Sequence, residues 1–77
     1  MSPAAAILSL LDERAADATI CPSEAARRCA GPEGNWRAHM AQVHAAVDAL
    51  VAQGAITLSW QGAMMQKRRG PYRIARR

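Results

Sequence analysis

GAITLSWQGAMMQKRRGPYRI occupies residues 54–74, and within it the period of the hydrophobic pattern changes. Before Gly54, apolar residues recur at helical spacing. From Ile56 they alternate, with Ile56, Leu58 and Trp60 separated by Thr57 and Ser59. Such alternation marks a strand with one buried face. Tyr72 and Ile74 alternate around Arg73 in the same way, which predicts a second strand. Between the two lies a glycine-bounded segment, Gln61–Pro71, read as one long hairpin loop that carries Lys67, Arg68 and Arg69.

Upstream of this stretch the sequence predicts three helices. Ser2 before Pro3 reads as a cap followed by proline in the first turn, and Ile7, Leu8, Leu10 and Leu11 form an apolar stripe that extends the first helix to about Ala15. Thr19 and Ile20 are β-branched and predict a short strand. Cys21-Pro22-Ser23-Glu24 starts a second helix, with Glu24 placed to reach back to the cap, and Ala30-Gly31-Pro32 ends it. Arg27 and Arg28 are expected to face outward. Asn35 is the expected cap of the third helix. Its buried face runs through Trp36, Met40, Val43, Val47, Leu50 and Val51, and Gly54 stops it.

Helix, short strand, helix, turn, helix, strand, basic loop, strand is the order of a winged helix-turn-helix. The predicted fold is therefore α+β and mainly α: three helices plus a C-terminal β-hairpin wing, in one domain spanning residues 1–77. Three blocks also resemble a small bacterial winged-helix-like family catalogued as domain of unknown function 3253. They are Thr19-Ile20-Cys21-Pro22-Ser23-Glu24-Ala25-Ala26-Arg27, then Trp36-Arg37 with Met40 and Val43, and Gly70-Pro71-Tyr72-Arg73-Ile74. The chain departs from that family in the wing, where Ala63-Met64-Met65-Gln66-Lys67-Arg68 stands in place of a Val-Asp-Pro pattern. The resemblance implies the fold and carries no established activity.

Charge is segregated along the chain. Residues 1–60 hold four arginines and six acids, a net −2, whereas residues 61–77 hold six cations and no acid, a net +6. A basic arm of this kind points to an anionic partner, with duplex DNA the first candidate. The residues expected to meet it are Asn35, Arg37 and Gln42 from the third helix and Lys67, Arg68, Arg69, Arg73, Arg76 and Arg77 from the wing and closing strand. The third helix would read few bases. Its outward face holds Arg37, Ala38, Ala41, Ala45, Asp48, Ala49 and Ala52, and Asp48 would repel a phosphate. The alternative is a protein-interaction module that packs this alanine-rich face on a partner helix. A third reading leaves the basic segment as a solvated surface, with Arg73 paired to a carboxylate of helix one or two.

Catalytic and metal-binding patterns are weak. Cys21 and Cys29 are eight positions apart, too far for a zinc knuckle, and are expected to be free thiols, with His39 and His44 ordinary helix residues. Ser23 lacks a nucleophile elbow, and no paired carboxylates or phosphate-binding glycine loop occur. The sequence thus predicts no enzyme, no cofactor, no metal and no small-molecule substrate. Trp36, Trp60 and Tyr72 are assigned to the core rather than to base stacking. Without a long apolar run or a basic segment ahead of the first apolar residues, the expected protein is monomeric and cytoplasmic, with no membrane partner.

Overall fold

The computed structural model describes residues 1–77. Its first helix, α1 (Pro3–Asp12), begins where Ser2 Oγ accepts the Ala5 N–H at 3.1 Å. It ends at Asp12 rather than near Ala15, because Leu11 is its last buried residue and the chain from Asp12 to Asp17 is exposed. Leu8 departs from the expected stripe and faces solvent, while Ala6, Ile7, Leu10 and Leu11 are buried. Strand β1 (Thr19–Ile20) leads into α2 (Pro22–Ala30). There the Glu24 carboxylate accepts the Cys21 N–H at 2.7 Å, closing the first turn as the sequence suggests.

The third helix differs at its start. Trp36–His39 form a 3-10 turn, and regular α3 spans Met40–Ala52. Asn35 precedes the 3-10 turn, but its side chain makes no capping bond; its carbonyl accepts the Ala38 N–H at 3.1 Å. Val43, Val47 and Leu50 are buried on the predicted face of α3. Gly54 takes φ +72° just beyond it, a left-handed conformation that stops the helix without a Cβ penalty.

Strands β2 (Ile56–Trp60), β3 (Ala63–Met65) and β4 (Arg73–Arg76) join β1 in one antiparallel sheet of order β1-β4-β2-β3. This corrects the two-strand hairpin read from the sequence. β2 and β4 do pair, with Leu58 opposite Ile74 and Ser59 opposite Arg73. The segment between them is not one open loop, however. It turns back at Gln61-Gly62 and runs as β3 along the other edge of β2, pairing Trp60 with Ala63 and Leu58 with Met65. Only then does it cross to β4. β4 in turn pairs with β1, placing Ile20 opposite Ile74.

One face of the sheet closes on the helices. Ile20, Ile56, Leu58 and Ile74 meet Ile7, Leu10, Val43, Val47 and Leu50 in a single cluster. Fully burying each such aliphatic side chain stabilises the fold by ~1.5–3 kcal/mol. Ala25 and Ala26 are also fully buried, so α2 presents small residues to the other elements. The aromatic side chains divide. Tyr72 is 4% exposed and belongs to the core, Trp36 packs half-buried at its rim, and Trp60 is 40% exposed, against the expectation that all three would fill the interior. Trp60 does share the inward face of β2 with Ile56 and Leu58, but the buried core ends at Leu58.

Candidate nucleic-acid interface

The turn from α2 into the 3-10 segment is built by two glycines. Gly31 leaves α2 at φ +80°. Gly34 sits against the last residue of α2, where a Cβ would fall 2.1 Å from the Ala30 carbonyl oxygen. This close approach sets Trp36 beside the end of α2. The guanidinium carbons of Arg27 and Arg37 lie 4.6 Å and 4.4 Å from the centre of its ring. Cation–π attraction holds both arginines in place while leaving their N–H donors without a bond inside the protein. Arg27 was missed in the sequence because it reads as an ordinary solvated helix residue. The available signal was an arginine in the last turn of α2 together with a lone aromatic at the start of the next helix.

The basic loop after β3 is anchored rather than free. Arg68 Nε and Nη2 each donate to the Asp48 carboxylate at 3.0 Å, a bidentate pair that fastens the loop to α3. That hydrogen bond holds the Asp48 carboxyl below the usual range and raises Arg68. Asp48, expected to repel phosphate, thus has its charge matched by Arg68. Lys67 and Arg69 flank the anchor, are exposed, and have no partner.

The closing strand uses two of its three arginines internally. Arg73 Nε and Nη2 donate to Thr19 Oγ1 at 3.1 Å and to the Thr19 carbonyl at 3.2 Å, so Arg73 ties β4 to β1 rather than to a helix carboxylate. Arg76 Nη2 donates to the carbonyls of Leu11, which also accepts the Arg14 N–H, and of Arg14, so it ties β4 to the chain at the end of α1. Arg77 is exposed, and its Nη1 lies 3.0 Å from where a Gly54 Cβ would stand.

Two further ion pairs clasp α2 to α1 and to the segment after it. Arg28 meets Glu13 at 2.5 Å and 2.9 Å, and Arg14 meets Glu24 at 2.9 Å. Arg28 is therefore engaged rather than freely outward. Its hydrogen bonds hold the Glu13 carboxyl below the usual range. Burial would push Glu24 up, but the Cys21 N–H and Arg14 outweigh it, and its carboxyl also lies low.

Of the nine residues expected to meet nucleic acid, Arg68, Arg73 and Arg76 are thus bonded within the protein. Asn35, Arg37, Gln42, Lys67, Arg69 and Arg77 are exposed, and their side chains make no hydrogen bond or ion pair. With Arg27, five cations remain without a partner: Arg27, Arg37, Lys67, Arg69 and Arg77. Cys21 and Cys29 are free thiols, and no three His, Cys, Asp or Glu side chains converge as metal ligands would. No helix is long and apolar enough to cross a membrane.

The model of the family described as "Protein of unknown function (DUF3253)" matches residues 2–77, and the chain belongs to that family. A search of the curated proteins finds no match.

Proposed function

We propose that the chain is a cytoplasmic winged helix-turn-helix protein that binds nucleic acid, duplex DNA in the first instance. It would do so mainly through the phosphate backbone. In this reading α2 and α3 form the helix-turn-helix, and the β2–β3 hairpin with the loop to β4 forms the wing. The observation that carries it is the division of the cations. Acids or carbonyls engage half of them, and the other half, at the α2–α3 turn and around the wing, stay unpaired. Arg27 and Arg37, stacked on Trp36, present guanidinium donors suited to phosphate oxygens at the leading end of α3. Lys67, Arg69 and Arg77 supply the second group. Asn35 and Gln42 are the neutral polar groups able to reach base edges, so sequence reading is slight.

A protein partner on α3 is the rival reading, favoured by the exposed alanines Ala41, Ala45, Ala49 and Ala52. At 100° per residue Ala41 and Ala45 share a line with Asp48, and Arg68 of the loop already covers Asp48. That shortens the bare alanine face and favours the polyanion. Titration with generic duplex DNA at low salt, followed by NMR shift mapping, tests the proposal. Shifts at Arg27, Arg37, Lys67 and Arg69 support it, and absence of binding at low salt overturns it.

A further inference from the structure

Trp60 stands out among the aromatic residues because much of its side chain is exposed. Arginines lie over Trp36 and the core encloses Tyr72, but Trp60 is 40% exposed and has no cation over its ring. It forms one wall of a cleft of about 380 Å³, within the ~300–1,000 Å³ range of small-ligand sites. Met40 and His44, one turn apart on α3, line the cleft together with Cys21, Pro71 and Tyr72. Continuing the β2–β4 register one step beyond Ser59–Arg73 sets Trp60 opposite Tyr72.

The polar groups at this apolar cleft have a defined direction. His44 Nδ1 lies 2.6 Å from the Tyr72 hydroxyl. Burial pushes the Tyr72 phenol up to about 12, and its protonated hydroxyl can donate to Nδ1. Burial and then Arg68 lower His44, and in the neutral tautomer in which Nδ1 accepts from Tyr72 the ring N–H sits on Nε2. That Nε2 bonds to nothing in the protein. Every buried polar side-chain atom has a partner, so Nε2 reaches solvent. The Gly70-Pro71 rim continues directly from Lys67-Arg68-Arg69, which puts the unpaired Arg69 one residue from the cleft.

From this geometry we infer that the cleft takes a single unpaired nucleobase, stacked on Trp60, with its phosphate at Arg69 or Lys67. Every base has a π-face to lie on Trp60 and ring or carbonyl acceptors for the His44 Nε2–H. This inference rests on the nucleic-acid reading above and deepens it, because it adds to the backbone contacts one that only an exposed base can make.

The test compares an oligo-dT single strand, a duplex and thymidine monophosphate at low salt, read by fluorescence anisotropy and NMR. Trp60→Ala should weaken the single strand about five- to 150-fold, as loss of one aromatic stack does, and change duplex affinity by less than about twofold. Trp60→Phe, which keeps a smaller ring, should restore most of the loss and guards against a mere folding defect. Lys67→Ala with Arg69→Ala should weaken both nucleic acids. Shifts of the Trp60 indole N–H with the monophosphate support a cleft that accepts free nucleotides. Shifts with the oligonucleotide alone support one that needs the strand. Single-strand affinity unchanged by Trp60→Ala, or single strand and duplex weakened equally, overturns the cleft and leaves the basic surface standing. No binding by either nucleic acid overturns both.

Discussion

Gly34→Ala tests the turn that brings the paired arginines together. Gly34 takes no left-handed conformation, so space rather than φ demands glycine there. An added Cβ would lie 2.1 Å from the Ala30 oxygen, 2.7 Å from its carbonyl carbon and 2.8 Å from its Cβ. All three atoms belong to the last residue of α2, and two are backbone, so no flexible side chain can swing away. Relief requires the turn to move off α2 by roughly an ångström, carrying Trp36 with it. Overpacking of this kind costs ~1–3 kcal/mol. For a domain of this size each kcal/mol moves the melting temperature by about 4–8 °C, so a fall of ~4–24 °C is expected in a circular-dichroism melt. Gly31→Ala is the companion. It meets open space but must hold φ +80° with ψ 174°, a region all but reserved for glycine, at a cost of ~1–3 kcal/mol of backbone strain with no displacement of the turn. A Gly34→Ala melting temperature within about 2 °C of the parent would refute the close approach, since that shift corresponds to under ~0.5 kcal/mol.

Tyr72→Phe removes the hydroxyl that serves His44 Nδ1 and should lower stability by ~1 kcal/mol in urea titration, near the low end for a lost partner because His44 is only half-buried. His44 lies below its ordinary value of 6.5, first through burial and then through Arg68, with Asp48 opposing. The fold therefore disfavours its protonation relative to the unfolded chain, so its contribution is complete above 6.5 and is lost as pH falls through the lower folded value. Glu13, Glu24 and Asp48 are also lowered and add a further loss at more acid pH. A urea midpoint that rises between neutral and mildly acid pH would contradict this sign. Arg27→Ala with Arg37→Ala should shrink the salt slope of duplex binding by about 2, whereas Arg14→Ala, whose charge Glu24 already matches, should leave it unchanged.

The elements best read from sequence are those whose signal is local. The apolar face of α3, the Cys21-Pro22-Ser23-Glu24 start of α2, and the alternation of Ile56 and Leu58 all emerge where the pattern places them. β3 did not announce itself for two reasons. Ala63 and Met64 are both exposed, so the strand lacks alternation, and its turn uses Gln61 at φ +52° and Gly62 at φ +84°. Such a two-residue turn is ordinarily marked by Asn or Asp at the first position, and glutamine hides it. Trp60 followed the alternation faithfully onto the inward face, but periodicity says nothing of where the neighbouring helices stop. The pairing of Arg68 with Asp48 bridges 20 positions, and Arg76 reaches the end of α1 across more than 60; neither contact leaves a trace in local pattern. Charge was therefore legible as an amount and a location. Which cations remain free depended on the fold.

The central claim is that those free cations grip a polyanion, and the salt dependence of duplex DNA binding measures it most directly. With three to five of Arg27, Arg37, Lys67, Arg69 and Arg77 each displacing a counterion, log K should fall against log salt with a slope of about −3 to −4.5. No detectable binding at low salt, or binding whose affinity does not change with salt, would contradict the account.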